Sequence, residues 1–151
     1  MLIKIDDLRG PEIAALLQEH LADMRAWSPP CSVHALDLDM LRSPDITFWT
    51  VWDGNTLLGC GALKATDATQ GEIKSMRTAA AHRGKGVAAA MLAHIVQTAE
   101  QRGYTRLNLE TGPQAQFAPA RALYSGFGFT ECAAFADYQP DAYSVFMTRS
   151  L

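Results

Sequence analysis

The feature that most constrains this chain is a glycine-rich loop placed directly before a strongly periodic helix. The loop reads Arg83-Gly84-Lys85-Gly86-Val87-Ala88, and apolar residues then recur at three- and four-residue steps through Ala99. First-turn N–H groups and the positive end of the helix dipole converge on such a loop, and glycine lets the backbone approach a ligand closely. The pattern predicts a pyrophosphate site, with a plain turn carrying solvated basic residues as the alternative.

The same residues also satisfy a dinucleotide-binding fingerprint. Gly84-x-Gly86-x-x-Ala89 fits G-x-G-x-x-A, and Glu110 lies near the end of the next predicted strand. In that fingerprint the first glycine follows its strand almost directly, whereas residues 79–83 intervene here. Three antiparallel strands are also predicted before the loop, where the fingerprint expects the first strand of a parallel sheet. The strand order therefore disfavours a nicotinamide or flavin enzyme.

Alternation and helical periodicity together predict a mixed α/β chain. Proline at position 11 opens a helix that ends before Ser28-Pro29-Pro30, and Asp53-Gly54-Asn55 supplies a hairpin turn. Helices are predicted over 11–27, 37–42, 88–99 and around 120–127. The predicted strands are 2–5, 46–52, 57–63, 72–78, 104–109, 129–137 and 144–148.

Composition limits the classes of protein that fit. A chain of 151 residues, 48% hydrophobic and 19% charged, is predicted to form one domain over 1–151. The net charge of −3 gives no general attraction to nucleic acid or membrane, so neither partner is expected. The three cysteines have no zinc-ligand spacing, which favours a reducing cytoplasm and no metal site. The chain also lacks an apolar run of about 20 residues and a signal-peptide pattern.

Two motifs taken together resemble the GNAT superfamily of N-acetyltransferases. Arg83-x-x-Gly86-x-Ala88 matches the family's acetyl-CoA loop, and Leu-Tyr at 123–124 followed by Gly-Phe at 128–129 matches its second signature. The resemblance covers most of the chain and implies a twisted, mostly antiparallel sheet flanked by helices. It also implies acetyl-CoA as cosubstrate, a small-molecule or peptide amine as acceptor, and direct transfer in a ternary complex. A homodimer is compatible with it.

The resemblance also assigns cofactor contacts. The backbone of Met76, Arg77 and Thr78 would pair with the pantetheine arm, and the Thr78 N–H is the expected oxyanion donor. Arg83 would either brace the loop or touch the ligand, and Lys85 would either reach a phosphate or remain solvated. The residues expected to face the pyrophosphate are Gly84, Lys85, Gly86, Val87 and Ala88.

Acetyl transfer needs a neutral amine, a stabilised oxyanion and a proton for the departing thiolate. Tyr124, on the helix beside the cofactor, is the candidate proton donor, with a core tyrosine as the alternative. Glu72 occupies the place of the general-base glutamate in some family members. The alternatives are a solvated carboxylate at that position, no side-chain base at all, or Glu110 as a second choice of base.

One position departs from the family pattern. Many members carry an asparagine where this chain has Phe117, and an apolar ring cannot reproduce the hydrogen bonds of an amide. The acceptor pocket must therefore differ locally, and a non-catalytic acyl-CoA-binding or partner-binding module stays open as an alternative. The candidate acceptor contacts are His34, Phe117 and Tyr138. The tryptophans are expected in core or hairpin packing, and Cys60 and Cys132 as small buried hydrophobes.

Overall fold

The computed structural model describes residues 1–29 and 38–151 and shows one seven-stranded sheet with helices on both faces. The mixed α/β class predicted above is confirmed. The strands are β1 (Leu2–Ile5), β2 (Ile46–Asp53), β3 (Thr56–Ala65), β4 (Gln70–Thr78), β5 (Arg106–Thr111), β6 (Thr130–Cys132) and β7 (Val145–Ser150). The helices are α1 (Pro11–Trp27), α2 (Leu38–Leu41), α3 (Val87–Gln101) and α4 (Ala118–Gly126).

The sheet has a gap in its middle, between β4 and β5. The order is β1-β2-β3-β4-β5-β7-β6, and β4 with β5 is the parallel pair among otherwise antiparallel neighbours. Their pairing covers Gln70–Ile73 against Arg106–Leu109 and then stops, although β4 continues to Thr78. The two strands therefore separate beyond Ile73.

A bulge lies on β4 within this separated segment. Cys60 pairs with Arg77 and Ala62 with Lys74, so two residues of β4 oppose the single residue Gly61. Ser75 in the bulge has a φ of 55°, which lies in the left-handed region. An inserted residue of this kind bends a strand and changes the direction of the groups that follow it.

The backbone of Thr78 points into the gap. The Ala79 N–H donates to the Leu58 carbonyl at 2.8 Å, so that pair is hydrogen-bonded across β3 and β4. Hydrogen-bonded and non-hydrogen-bonded pairs alternate in an antiparallel ladder, which makes Gly59 and Thr78 a non-hydrogen-bonded pair. The Thr78 N–H consequently faces away from β3, toward the side on which β5 no longer pairs.

Two apolar clusters cover the faces of the sheet. Helix α3 packs on one face through Met91, Leu92 and Ile95, and α1 packs on the other through Ile13, Leu16 and Leu17. A Cβ at Gly61 would lie only 2.7 Å from the Met91 Cγ, so glycine there lets α3 approach the sheet closely.

The predicted strand over 129–137 is wrong in its length, because β6 ends at Cys132. Phe135 and Tyr138 instead pack against Phe146 of β7, with ring centroids 5.6 and 5.7 Å apart. Aromatic residues favour strands in general, but here tertiary packing holds them in a loop over the sheet. The predicted helix over 37–42 is observed as Leu38–Leu41, and residue 37 lies outside the described residues.

Candidate active site

A cleft of about 750 Å³ occupies the gap between β4 and β5. Its walls come from α1, β4, the glycine-rich loop, the start of α3, the end of β5, α4 and the segment before β7. Lys85 is exposed and lies outside the cleft lining, with its Nζ 2.9 Å from the His82 Nδ1, and His34 falls outside the described residues. The other site residues expected from the sequence all line this cleft: Glu72, Met76, Arg77, Thr78, Arg83, Gly84, Gly86, Val87, Ala88, Phe117, Tyr124 and Tyr138.

The glycine-rich loop has the geometry of a phosphate cradle. Gly84 and Gly86 have φ values of 79° and 81°, a conformation that residues with a Cβ rarely adopt. Gly86 is also the N-cap of α3, and no side chain caps that end of the helix. A Cβ at either glycine would meet nothing within 4 Å, so the space beside the open N–H groups is free for a ligand. These observations fit a pyrophosphate at the start of α3.

Arg77 ties β4 to α1 rather than reaching into the cleft for a ligand. Its buried Nη2 lies 2.6 Å from the Asp23 Oδ2 and 3.3 Å from the Glu19 Oε2. The half-exposed Arg83 lies 3.6 Å from the same Asp23 oxygen. The Arg77 side chain is thereby engaged by α1, and Arg83 is braced against the same helix.

His20 is a cleft residue that sequence analysis did not single out. It lines the cleft together with Met24 and Trp27. The buried residues of α1 lie closer to the start of the helix. Its Nδ1 is buried without a hydrogen-bond partner among the described residues. Burial, followed by the charge of Arg77, lowers the pKa of His20 to about 4, so the imidazole is neutral at physiological pH. An apolar helical stripe does not distinguish core from cleft, which is why the sequence missed this residue.

The lowered pKa of His20 predicts an acid-sensitive fold. The unfolded chain protonates this side chain near pH 6.5 and the folded chain only near pH 4, so the unfolded state binds the proton first as the pH falls. The free energy of unfolding should then decrease by roughly 2–3 kcal/mol between these two values. Urea unfolding of wild type and His20→Leu at pH 7 and 4.5 measures this, because only wild type carries the contribution. Equal pH dependence in both proteins would contradict it.

Tyr124 combines a core position with access to the cleft. Its ring packs edge-on against Phe129 at 5.9 Å, and the Phe129 N–H donates to the Tyr124 carbonyl at 3.0 Å. The residue is 7% exposed, and burial raises the pKa of its hydroxyl. Tyr124 is therefore protonated at physiological pH and can act as a proton donor.

Glu72 is 3% exposed, so the alternative of a solvated carboxylate is wrong. The Tyr138 hydroxyl donates to the Glu72 Oε2 at 2.7 Å, and the Lys74 Nζ lies 3.3 Å from the same oxygen. Lys74 also donates to the Tyr138 hydroxyl at 2.9 Å. Burial, followed by the nearby carboxylate, raises the pKa of Tyr138, which keeps its proton on the hydroxyl. Sequence analysis missed Lys74, although two-residue spacing places it on the same face of β4 as Glu72.

Glu110 reaches the cleft from the neighbouring strand. It lines the cleft from β5, and its charge contributes to the raised pKa of Tyr138. The cleft thus contains two carboxylates, from β4 and β5, with Lys74 beside the first. Both stay candidates for the base that the sequence analysis named.

Phe117 and Trp27 form an aromatic wall of the cleft. Their ring centroids lie 5.5 Å apart with an edge-on angle of 89°. A Cβ at Gly112 would come within 2.7 Å of the Phe117 ring, so the ring packs directly on the end of β5. The Gln114 Nε2 donates to the Trp27 carbonyl and the Ser28 Oγ, both at 3.0 Å. Trp27, expected in core or hairpin packing, instead faces the cleft.

The described cysteines do not carry an activated thiol. Cys60 is buried, donates to the Ser75 carbonyl at 3.2 Å, and has its pKa raised to about 12 by burial. This confirms its expected character as a small hydrophobe. Cys132 is only partly buried, because β6 ends there at the edge of the sheet, and burial raises its pKa as well.

Sequence comparison gives a consistent result. A profile of the acetyltransferase (GNAT) family matches residues 13–129. The chain is 58% identical over 151 residues to "Uncharacterized N-acetyltransferase YsnE" of Bacillus subtilis, covering 100% of both chains. It is 49% identical to "Uncharacterized N-acetyltransferase YedL" of Escherichia coli over 99% of this chain and 94% of the relative. An "IAA acetyltransferase" of Azospirillum brasilense is 36% identical over 89% of this chain and 86% of that relative.

Solved structures share the fold. A protein from Klebsiella pneumoniae named as an acyl-CoA N-acyltransferase superposes with a TM-score of 0.76 at 30% identity, covering 99% of this chain and 97% of that one. An acetyltransferase from Elizabethkingia anophelis with acetyl-CoA bound gives a TM-score of 0.72 at 18% identity, with the same coverage. Within the described ranges, none of the helices has the length and apolar character needed to cross a membrane.

Proposed function

The chain belongs to the acetyltransferase (GNAT) family and is an acetyl-CoA-dependent N-acetyltransferase, and from this premise we propose that residues 1–151 act as one catalytic domain that acetylates a primary amine. The amine lies beside Glu72, and transfer is direct in a ternary complex. The observation that carries the proposal is that a buried carboxylate and a protonated tyrosine, Glu72 and Tyr124, line the same cleft as the phosphate cradle.

The cofactor is held by backbone rather than by side-chain charge. The N–H groups beside Gly84 and Gly86 and the start of α3 receive the pyrophosphate, since that space is open and uncapped. The backbone of Met76 and Thr78 pairs with the pantetheine arm, and the Thr78 N–H stabilises the oxyanion because it faces the gap. Acetyl-CoA supplies the acetyl group as a thioester.

Two side chains move protons in this scheme. Glu72 takes the proton of the amine so that the nitrogen has a free electron pair, and the Tyr138 hydroxyl orients the carboxylate by donating to its Oε2. Tyr124 provides the proton that the departing sulfur takes up, since burial keeps its hydroxyl protonated. The aromatic wall of Trp27 and Phe117 replaces the polar group common in the family and lines the cleft beside these residues.

A turnover screen tests the proposal. Thiol release from acetyl-CoA is followed with a dye across spermidine, tyramine, L-lysine, L-phenylalanine, kanamycin, an alanine-terminated peptide and IAA, the compound in the Azospirillum relative's name. We expect amine-dependent release together with an acetylated product detected by mass spectrometry. Thiol release that ignores every amine, with no acetylated product, would contradict the proposal.

Tyr124→Phe should separate catalysis from binding. Because the substitution removes only the hydroxyl, turnover should fall by about ten- to thousand-fold, while coenzyme A affinity stays nearly constant. Tyr143→Phe is the matched control, since Tyr143 also lines the cleft but is 48% exposed. Unchanged turnover in Tyr124→Phe would show that Tyr124 has only a structural role.

A further inference from the structure

We propose that Lys74 is a positioning residue for acetyl transfer, whose ammonium group holds the Tyr138 hydroxyl and the Glu72 carboxylate in the arrangement that accepts the amine proton. This inference rests on the proposed function, in which Glu72 is the base. It concerns a residue that no motif in the sequence singles out.

The contacts form a closed group of three. The Lys74 Nζ lies 2.9 Å from the Tyr138 hydroxyl and 3.3 Å from the Glu72 Oε2, and the Tyr138 hydroxyl lies 2.7 Å from that oxygen. The Lys74 side chain is 21% exposed and that of Glu72 only 4%. Charged groups shielded from water to this extent interact more strongly than exposed pairs.

The direction of each hydrogen bond follows from the chemistry of the three groups. An ammonium can only donate, so Tyr138 accepts from Lys74 and its own single proton goes to Glu72. Both donors contact the same oxygen of Glu72, Oε2, and together they fix the orientation of the carboxylate. Lys74 therefore fixes the proton of Tyr138 as well as the orientation of the carboxylate.

Lys74 also contacts the loop that carries Tyr138, through its hydrogen bond to the Tyr138 hydroxyl. The rings of Phe135 and Tyr138 in the same loop pack on Phe146 of β7. Tyr143 and Ser144 of the same connection also line the cleft, so the contact between Lys74 and Tyr138 helps to position this part of the cleft wall. Loss of the ammonium would leave Tyr138 with its contact to the carboxylate but without its donor from β4.

Other titratable groups approach this trio from the surrounding elements. Glu110 comes from β5, His20 lines the cleft from α1, and Lys64 of β3 pairs in register with Glu72. The negative charge of Glu110 disfavours a second negative charge on Glu72. Lys74 offsets this repulsion by direct contact with the Glu72 carboxylate. Lys64 is partly exposed, so its charge is more strongly screened by water.

Lys74→Met, Lys74→Arg and the control Lys64→Met test this role. The readout is kcat/KM from pH 4.5 to 10, with the panel amine that wild type acetylates fastest. Lys74→Met should lower kcat/KM at pH 7 by about ten- to hundred-fold and move the acid limb about one pH unit higher, because the carboxylate loses its cationic partner. Lys74→Arg should recover the position of the acid limb, and Lys64→Met should leave it unchanged. Acetyl-CoA affinity should be the same in all four proteins.

A double-mutant cycle reports on the contact without any acceptor. Unfolding free energies of Lys74→Met, Tyr138→Phe and the double variant should be non-additive, since each single change breaks the same hydrogen bond. Additive values would overturn the proposal. A second result would also overturn it: Lys74→Met keeps the acid limb of wild type, and its KM rises only for acceptors that carry a carboxylate. Lys74 would then bind the acceptor. If no amine supports turnover by wild type, the proposed function fails, and the cycle still decides whether Lys74 positions Tyr138.

Discussion

Glu72→Gln is expected to lower amine-dependent turnover by about 10²- to 10⁴-fold while leaving acetyl-CoA affinity intact. The amide has the shape of the carboxylate and can still accept from Tyr138 and Lys74, but it cannot take a proton from an amine. The prediction rests on the position of Glu72, which is almost completely buried and in contact with two donors. The measurement is steady-state turnover with calorimetric titration of acetyl-CoA.

Glu110→Gln is the matched comparison for this prediction. It removes the other cleft carboxylate by the same change, and we expect a smaller loss of turnover because Glu110 is the second-choice base. The pH profiles are measured with two amines of different pKa. A profile that follows the pKa of the amine and ignores Glu72→Gln would show that bulk water takes the proton. A large loss in Glu110→Gln alone would assign the base to β5.

Gly86→Val should abolish the rise in melting temperature that coenzyme A produces. In wild type, coenzyme A at 100 times its Kd should stabilise the fold by about 2.7 kcal/mol, and NAD should have no comparable effect. Valine at this position places its branched side chain in the open space beside the first turn of α3 and is strained at a φ of 81°. Thermal unfolding with and without each nucleotide gives the result.

Gly103→Val controls for backbone strain in this experiment. Gly103 lies just beyond the other end of α3, has a φ of 79°, and also has nothing within 4 Å of an added Cβ. It should lower the melting temperature by a similar amount and keep the response to coenzyme A. If Gly86→Val keeps that response, the assignment of the loop is wrong. An equal response of wild type to NAD would contradict the proposed phosphate ligand.

The sequence predicted the elements whose signals are local. Pro11 and Ser28-Pro29-Pro30 define α1, and the alternation around Asp53-Gly54-Asn55 defines the β2–β3 hairpin. Glu72 and Tyr124, which the resemblance assigned to the site, both line the cleft, and their roles as base and proton donor stay predictions. The prediction of a long strand after Phe129 was wrong, since aromatic residues that favour strands pack here as a loop on β7.

By itself, the sequence determined the helices, most of the strands and the glycine cradle at the start of α3, because periodicity, proline and glycine act within a few residues. Only the tertiary structure decided that Lys74 and Tyr138, separated by 64 residues, meet at Glu72, and that His20 and Trp27 turn toward a cleft. The physical reason is that burial and charge pairing depend on which segments pack together. The early end of the β4–β5 pairing opens the space in which those side chains gather, and no local pattern encodes it.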